Sequence, residues 1–407
     1  MTSNEPWQSG LSFSERLESV TRLITAYRRH HPDAAFATAH AEAKNIEQAA
    51  FESAPSRAAY RSQIEATVDA LSPQEQGASP EDALKEAFAD YDSVSGVQIG
   101  RYQKAVLVNE SPYSRIYKTK DQDGNCLALK VSDVSSAPTP PHDSLREARI
   151  LQRVLAAKKD CNVAQLFSAF YESSSRYVLE FPYLPHNLEE MLSKDALTPK
   201  QVRSHLRDLF AALAHIHSLG IIHRDVKPSN ILLACASGPA YLTDFGIAWD
   251  PDDKGTTTEK STEKITDVGT TCYRPPEILF GDKSYGVSLD LWAAGCVVVE
   301  ALDRRHRQLF DAGPMGSELG LIHSMFTTLG TPNTETWPSA KTLPDWGKID
   351  FKEYPAKPWE EILRDAPPDG RDLASKLLRF ESSERLSAAD ALNHPYFDVI
   401  RKQTTQS

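Results

Sequence analysis

Cysteine is scarce and long apolar runs are missing. The five cysteines, Cys126, Cys161, Cys235, Cys272 and Cys296, lack the paired spacing of a zinc site or a disulfide framework, and an odd, sparse set points to reduced intracellular thiols. The longest apolar stretch, Leu291 to Val299, is too short to cross a bilayer and reads as a buried helix, so no membrane partner is expected. Met1 to Pro6 shows no basic region leading into an apolar core, which argues against a secretory signal. Nucleus and cytoplasm both stay open as locations. An excess of basic residues is also lacking: 45 Lys+Arg against 56 Asp+Glu leave a net charge of -11, which argues against direct, sequence-independent binding of nucleic acid. The 407 residues suffice for two or three folding units.

Two motifs carry the chemistry. Ile222-His223-Arg224-Asp225-Val226-Lys227-Pro228-Ser229-Asn230-Ile231-Leu232 places an acid, a lysine and an asparagine on one short loop, and Leu242-Thr243-Asp244-Phe245-Gly246 adds a second acid after the next apolar strand. Phosphoryl transfer needs positioning and charge neutralisation more than a strong base. Asp225 is the candidate to hold a substrate hydroxyl and accept its proton, with Lys227 facing the phosphoryl group. Asn230 and Asp244 offer hard oxygen ligands suited to Mg2+. In this order the motifs resemble the protein kinase family, in its serine/threonine branch. The resemblance covers about residues 99–397 and implies an α+β, bilobal fold with an antiparallel β N-lobe (99–181) and a helical C-lobe (182–397), with a tail at 398–407. It also implies ATP and Mg2+ as cofactors and protein hydroxyls as substrates.

In the N-lobe, alternation over Tyr102 to Val108 and Arg115 to Lys118 predicts a hairpin, followed by a strand at Cys126 to Lys130. Leu127-Ala128-Leu129-Lys130 resembles the family's Val-Ala-Ile-Lys, which makes Lys130 the phosphate ligand and Glu147 its ion-pair partner. Val108, Ile116, Ala128, Leu179 and Leu232 are the expected apolar walls of the adenine slot. Two places depart from the pattern. Asn109, Ser111 and Ser114 stand where three glycines are usual, which weakens the approach of backbone amides to phosphates. At the hinge the Glu180 carbonyl is the expected adenine acceptor, but Pro182 falls at the donor position and has no N–H, leaving Tyr183 as the alternative donor. Lys130, Glu147, Asp225, Asn230 and Asp244 are all present, so an active enzyme is expected rather than a non-catalytic pseudokinase scaffold.

In the C-lobe, Gly269-Thr270-Thr271-Cys272-Tyr273-Arg274-Pro275-Pro276-Glu277 is similar to the end of the activation segment in the cyclin-dependent kinase group. That likeness places Thr270 against Asp225 and Lys227, pairs Glu277 with Arg385, and makes Asp290 the anchor of the catalytic loop. Most members of the group gather three arginines around a phosphothreonine. Here Arg146 and Arg224 match two of them, Trp249 stands at the third, and Ile265 lines up with the threonine. Thr266, Thr262 and Thr258 remain candidate phosphosites. Loss of a cation and of its phosphate acceptor, together with the missing glycines, resembles the fungal single-subunit kinases that activate cyclin-dependent kinases. The implied substrates are cyclin-dependent kinases; the need for a cyclin stays open, and a cyclin-bound transcriptional kinase is the alternative.

Before this region, residues 1–72 carry three helical patterns. Ser12 forms a capping box with Glu15, Asp33 and Ser56 can cap the next two helices, and Leu17, Val20, Leu23, Phe36, Ile46, Tyr60, Ile64 and Val68 recur at helical spacing. Trp7, Glu15-Arg16, Ile46 to Ala50 and Ser56 to Tyr60 are similar to the KIX domains of transcriptional coactivators and the Mediator tail, which implies a groove for an amphipathic activation segment. A helical extension of the kinase gives the same pattern. Residues 73–98 turn acidic and polar and read as a linker, with one helix from Pro80 to Phe88.

Overall fold

Ser12 opens the first helix as its spacing predicts: its hydroxyl accepts the Glu15 N–H at 3.3 Å and Glu15 Oε2 accepts the Ser12 N–H at 3.1 Å. The computed structural model describes residues 7–31, 34–71, 79–134, 140–255 and 259–398, and its two units divide mainly between Ala78 and Ser79. The first unit holds α1 (Phe13–His30), α2 (Phe36–Ser53) and α3 (Arg57–Leu71). Ser56 precedes α3 and accepts the Ala59 N–H at 3.1 Å, while Asp33, the expected cap of α2, lies outside the described residues. Val20, Leu23, Ala43, Tyr60, Ile64 and Val68 form the core. The buried stripe of α1 runs through Val20, Leu23 and Ala26. Leu17 falls outside it and is 52% exposed, as is Phe36 at 61%, so neither belongs to the core expected from periodicity. Arg16 instead pairs with buried Glu47 through two hydrogen bonds of 2.8 and 2.7 Å, and the Tyr60 hydroxyl donates to the same carboxylate at 2.7 Å. The Trp7 indole N–H donates to the Ala54 carbonyl at 2.9 Å.

The second unit begins inside the stretch that reads as linker. Ser79 caps α4 (Pro80–Ala87), as the sequence implies. The residues after α4 are anchored, however: Phe88 and Tyr91 are buried with Val106 and Tyr183, and Lys118 Nζ donates to the Ala87 carbonyl at 2.6 Å. Next come β1 (Val97–Ile99), β2 (Tyr102–Glu110), β3 (Arg115–Lys120), β4 (Cys126–Asp133), α5 (Ser144–Ala157), β5 (Ser168–Tyr171) and β6 (Arg176–Pro182). The strands form one antiparallel sheet in the order β1-β2-β3-β4-β6-β5.

The remaining residues build the helical lobe. A short strand β7 (His186–Asn187) leads into α6 (Leu188–Ser193) and the long α7 (Pro199–Ser218). β8 (Ile231–Leu233) and β9 (Ala240–Leu242) pair beside β7 and hold the two motifs at their ends. α8 (Pro276–Leu279), α9 (Ser288–Leu302) and α10 (Glu318–Leu329) follow. The apolar run Leu291 to Val299 is buried along its whole length within α9, because a helix apolar on every side must be covered on every side. An antiparallel sheet lobe and a helical lobe give the expected α+β architecture.

Candidate active site

The catalytic loop hangs from one buried carboxylate. Asp290, in α9, accepts the backbone N–H groups of His223 and Arg224 at 2.8 Å each and bonds His217 Nε2 at 2.8 Å. Burial pushes the Asp290 carboxyl up, yet the hydrogen bonds and charges of His217 and His223 together outweigh it and hold the group below its ordinary value. The tether keeps Arg224 at a φ of +72°, a left-handed conformation that a side-chain-bearing residue adopts only when its surroundings impose it. Asp225 follows. Its Oδ1 accepts the Thr270 N–H at 2.9 Å and the Thr270 hydroxyl at 2.8 Å, while Oδ2 meets Asn230 Nδ2 at 3.0 Å and Lys227 Nζ at 2.8 Å. Lys227 Nζ also donates to Thr270 Oγ1 at 2.8 Å, closing a ring. Gly269 makes the approach of Thr270 feasible: it has a φ of +77°, and a Cβ there would sit 2.5 Å from the Arg224 carbonyl oxygen.

Lys130, Glu147 and Asp244 meet across the two lobes of this unit. Lys130 Nζ donates to both Glu147 oxygens at 2.8 Å and to Asp244 Oδ1 at 2.6 Å. The Lys130 charge holds the Asp244 carboxyl down at about 2. Burial works against the Lys130 ammonium, but the two carboxylates outweigh it and raise its pKa; burial raises that of Glu147. Asn230 gives its amide N–H to the Asp225 carbonyl and carboxylate, so its Oδ1 remains the acceptor for a cation. With the Asp244 carboxylate 47% exposed, two hard oxygen donors suit a small divalent cation.

The nucleotide side corrects several expectations. Ser111 replaces a glycine by folding the hairpin loop on itself: its hydroxyl accepts the N–H groups of Tyr113 and Ser114 at 3.3 and 3.0 Å and donates to the Ser114 carbonyl at 3.1 Å. Asn109, opposite Ile116, sits beside a register shift. At the loop tip Tyr113 stacks on His142, with ring centroids 3.5 Å apart. At the hinge, the Glu180 carbonyl accepts the Phe167 N–H at 2.8 Å and its side chain bonds Arg101 and Ser168, which ties Glu180 into the sheet and leaves its carbonyl one lone pair. The register pairs Phe181 with Ala128 and Glu180 with Leu129. The Tyr183 N–H is likewise committed, to the Cys126 carbonyl at 3.1 Å, and Pro182 offers none. Leu179 is sealed against Ala148 and Tyr177, behind the slot. Ile116, Ala128 and Leu232 are half-buried and Val108 is 47% exposed, as open apolar walls would be.

The activation segment holds the residues that sequence reasoning missed. Arg224 Nη1 and Nη2 donate to Glu259 Oε1 and Oε2 at 2.8 Å each, and Arg146 Nη1 lies 3.7 Å from Oε1. Glu259 Oε2 accepts the Ile265 N–H at 2.8 Å, and its carbonyl accepts the Trp249 indole N–H at 3.0 Å. Trp249 therefore binds the segment instead of a phosphate. Thr266 is half-buried and Thr262 exposed; Thr258 lies outside the described residues. Arg149 binds Asp253 through two bonds of 2.7 and 3.0 Å, and Arg153 binds Asp250 and Asp252. Arg146, Arg149 and Arg153 stand at i, i+3 and i+7, one face of α5, and the acids Asp250, Asp252 and Asp253 were the matching signal. Glu277 and Arg385 form the expected buried pair at 2.6 and 2.7 Å.

Comparison with known proteins agrees with this geometry. The protein kinase domain profile matches residues 102–397. Cyclin-dependent kinase 20 of Danio rerio is 34% identical over 294 residues, 71% of this chain and 81% of the relative. The mouse protein of that name is 33% identical over 296 residues, with the same coverage. Cyclin-dependent kinase 7 of Dictyostelium discoideum is 32% identical over 312 residues, 75% of this chain and 81% of the relative.

Proposed function

The chain belongs to the protein kinase family as a serine/threonine kinase of the cyclin-dependent kind, and on that premise we propose that it acts without a cyclin to phosphorylate the activation segments of other cyclin-dependent kinases. The observation that carries the cyclin-free reading is the position of α5. Glu147 meets Lys130, and Arg149 and Arg153 tie the same helix to Asp250, Asp252 and Asp253. The activation segment does here what an added subunit would otherwise do. The proposed substrate class comes from the resemblance to single-subunit activating kinases.

In the proposed reaction the serine or threonine hydroxyl attacks the γ-phosphorus of ATP, the bond to the β-phosphate oxygen breaks, and the hydroxyl proton passes to Asp225. Asp225, held from four sides, orients the nucleophile more than it activates it. Lys227 faces the transferred group, and Lys130 holds the α- and β-phosphates. Magnesium held by Asn230 and Asp244 would neutralise phosphate charge. The three-helix unit is the proposed KIX-like docking module for an amphipathic activation segment.

A second reading is a cyclin-bound transcriptional kinase, of which the names of the relatives favour the cyclin dependence. The experiment that separates the two is transfer of labelled phosphate from magnesium ATP by the purified chain onto an inactive cyclin-dependent kinase. We expect labelling of the activation-segment threonine, lost by on the order of 10³-fold in Asp225→Asn. Labelling only after a cyclin is added would overturn the proposal.

A further inference from the structure

Resting on the cyclin-free reading above, we infer that Glu259 is a positioning residue that stands in permanently for an activating phosphate, so that the catalytic loop is set without phosphorylation of the segment. Arg224 precedes Asp225 in the chain, and its side chain is fully buried. A buried guanidinium requires a fixed anion, since an uncompensated buried charge is strongly destabilising. Two parallel hydrogen bonds from the Arg224 fork to the Glu259 carboxylate supply it.

Glu259 then fixes the path of the chain to the catalytic aspartate. Its Oε2 holds the Ile265 N–H, and the Ile265 carbonyl accepts the Tyr285 hydroxyl at 2.5 Å. Four residues on, Gly269 packs against the Arg224 carbonyl, and Thr270 bonds Asp225. Trp249, at the position of the absent third arginine, grips the Glu259 backbone. Both the cation and the phosphate acceptor missing from the sequence pattern are thereby replaced: Glu259 supplies the anion and Trp249 a neutral donor.

Charge counting agrees. A phosphate of about two negative charges suits three arginines, whereas one carboxylate suits fewer. Arg224 takes both carboxylate oxygens, and Arg146 remains at 3.7 Å. The Nε atoms of Arg146 and Arg224 are buried without a hydrogen-bond partner among the described residues. The pocket retains unused donors, which a phosphate's third oxygen could take.

The test uses the full chain, treated with phosphatase, with histone and magnesium ATP. Wild type is expected to keep its rate after phosphatase treatment. Glu259→Gln is expected to lose on the order of 30-fold in kcat with the KM for ATP within about twofold, because the nucleotide site is not touched. Glu259→Ser is expected to be as weak, and to recover when that serine is introduced phosphorylated by amber suppression; a merely structural role would not give this rescue. Trypsin cleavage after Lys260 and Lys264 gives a readout independent of turnover and should accelerate at least tenfold in Glu259→Gln. Loss of wild-type activity on phosphatase treatment overturns the inference, as does a Glu259→Gln chain with wild-type kcat and wild-type trypsin resistance. A wild-type chain inert on histone and on an inactive cyclin-dependent kinase, with or without phosphatase, would count against the cyclin-free reading, and the trypsin comparison would then decide the role of Glu259.

Discussion

Asp225 accepts hydrogen bonds from Thr270 and Asn230 and forms an ion pair with Lys227, so a substrate hydroxyl enters a carboxylate whose orientation is already set. Tyr113 and His142 do comparable work on the nucleotide side. Ser111 has taken loop amides that glycines would leave for phosphate, so the loop's position over the cleft depends on the ring stack at its tip. A stacked pair contributes about 0.5–1.5 kcal/mol. Tyr113→Ala should therefore raise the KM for ATP about three- to tenfold with kcat nearly unchanged, and steady-state kinetics in which KM does not move would contradict this. Glu300 sets a pH dependence. Burial raises its pKa from 4.5 to about 7, although the Tyr273 hydroxyl donates to it at 2.6 Å. The folded chain thus keeps a proton that the unfolded chain releases, and the resulting cost is absent below about pH 4.5 and full above about pH 7. Glu300→Gln should stabilise the protein by about 2–3 kcal/mol at pH 8 and by less than about 1 kcal/mol at pH 5, read by denaturant titration at both pH values.

Helices with a strong period are legible in the sequence, and so is the α4 helix, but not what α4 touches. Acidic, polar composition suggests a linker, yet Phe88 and Tyr91 are two aromatic residues in that stretch and both are buried. Burying each contributes about 1.5–3 kcal/mol. A chain starting at residue 97 should therefore be less stable than one starting at residue 79 by about 3–5 kcal/mol; equal melting temperatures for the two would show that α4 contributes nothing. The hinge contacts are not legible for a related reason. Pairing with β4 and β5 decides which carbonyl faces which strand, and that is a tertiary fact. Local spacing does fix the catalytic loop, because Asp225, Lys227 and Asn230 lie within six residues. Glu259 is 35 residues from Arg224 in a run of Thr, Lys and Glu, and no local pattern marks one acid among several.

Across the whole chain, the order of the motifs identifies the family, while the ties between α5 and the activation segment are contacts distant in sequence. Arg149 and Asp253 are 104 residues apart, and Arg153 and Asp250 are 97 apart. Exposed ion pairs contribute little, but the Asp250 and Asp253 side chains are only 4% exposed, so these pairs hold α5 more firmly than surface pairs would. The net charge of -11 thus hides a local match between basic residues on α5 and acidic ones on the activation segment. The most direct test is the turnover of the purified chain alone on an inactive cyclin-dependent kinase, beside an Arg149→Ala/Arg153→Ala double variant. The account predicts a kcat on the order of 1 s⁻¹ for the wild-type chain and a loss of about 100-fold in the variant. A wild-type chain that is silent alone and turns over only with a cyclin, or a double variant as active as wild type, would contradict it.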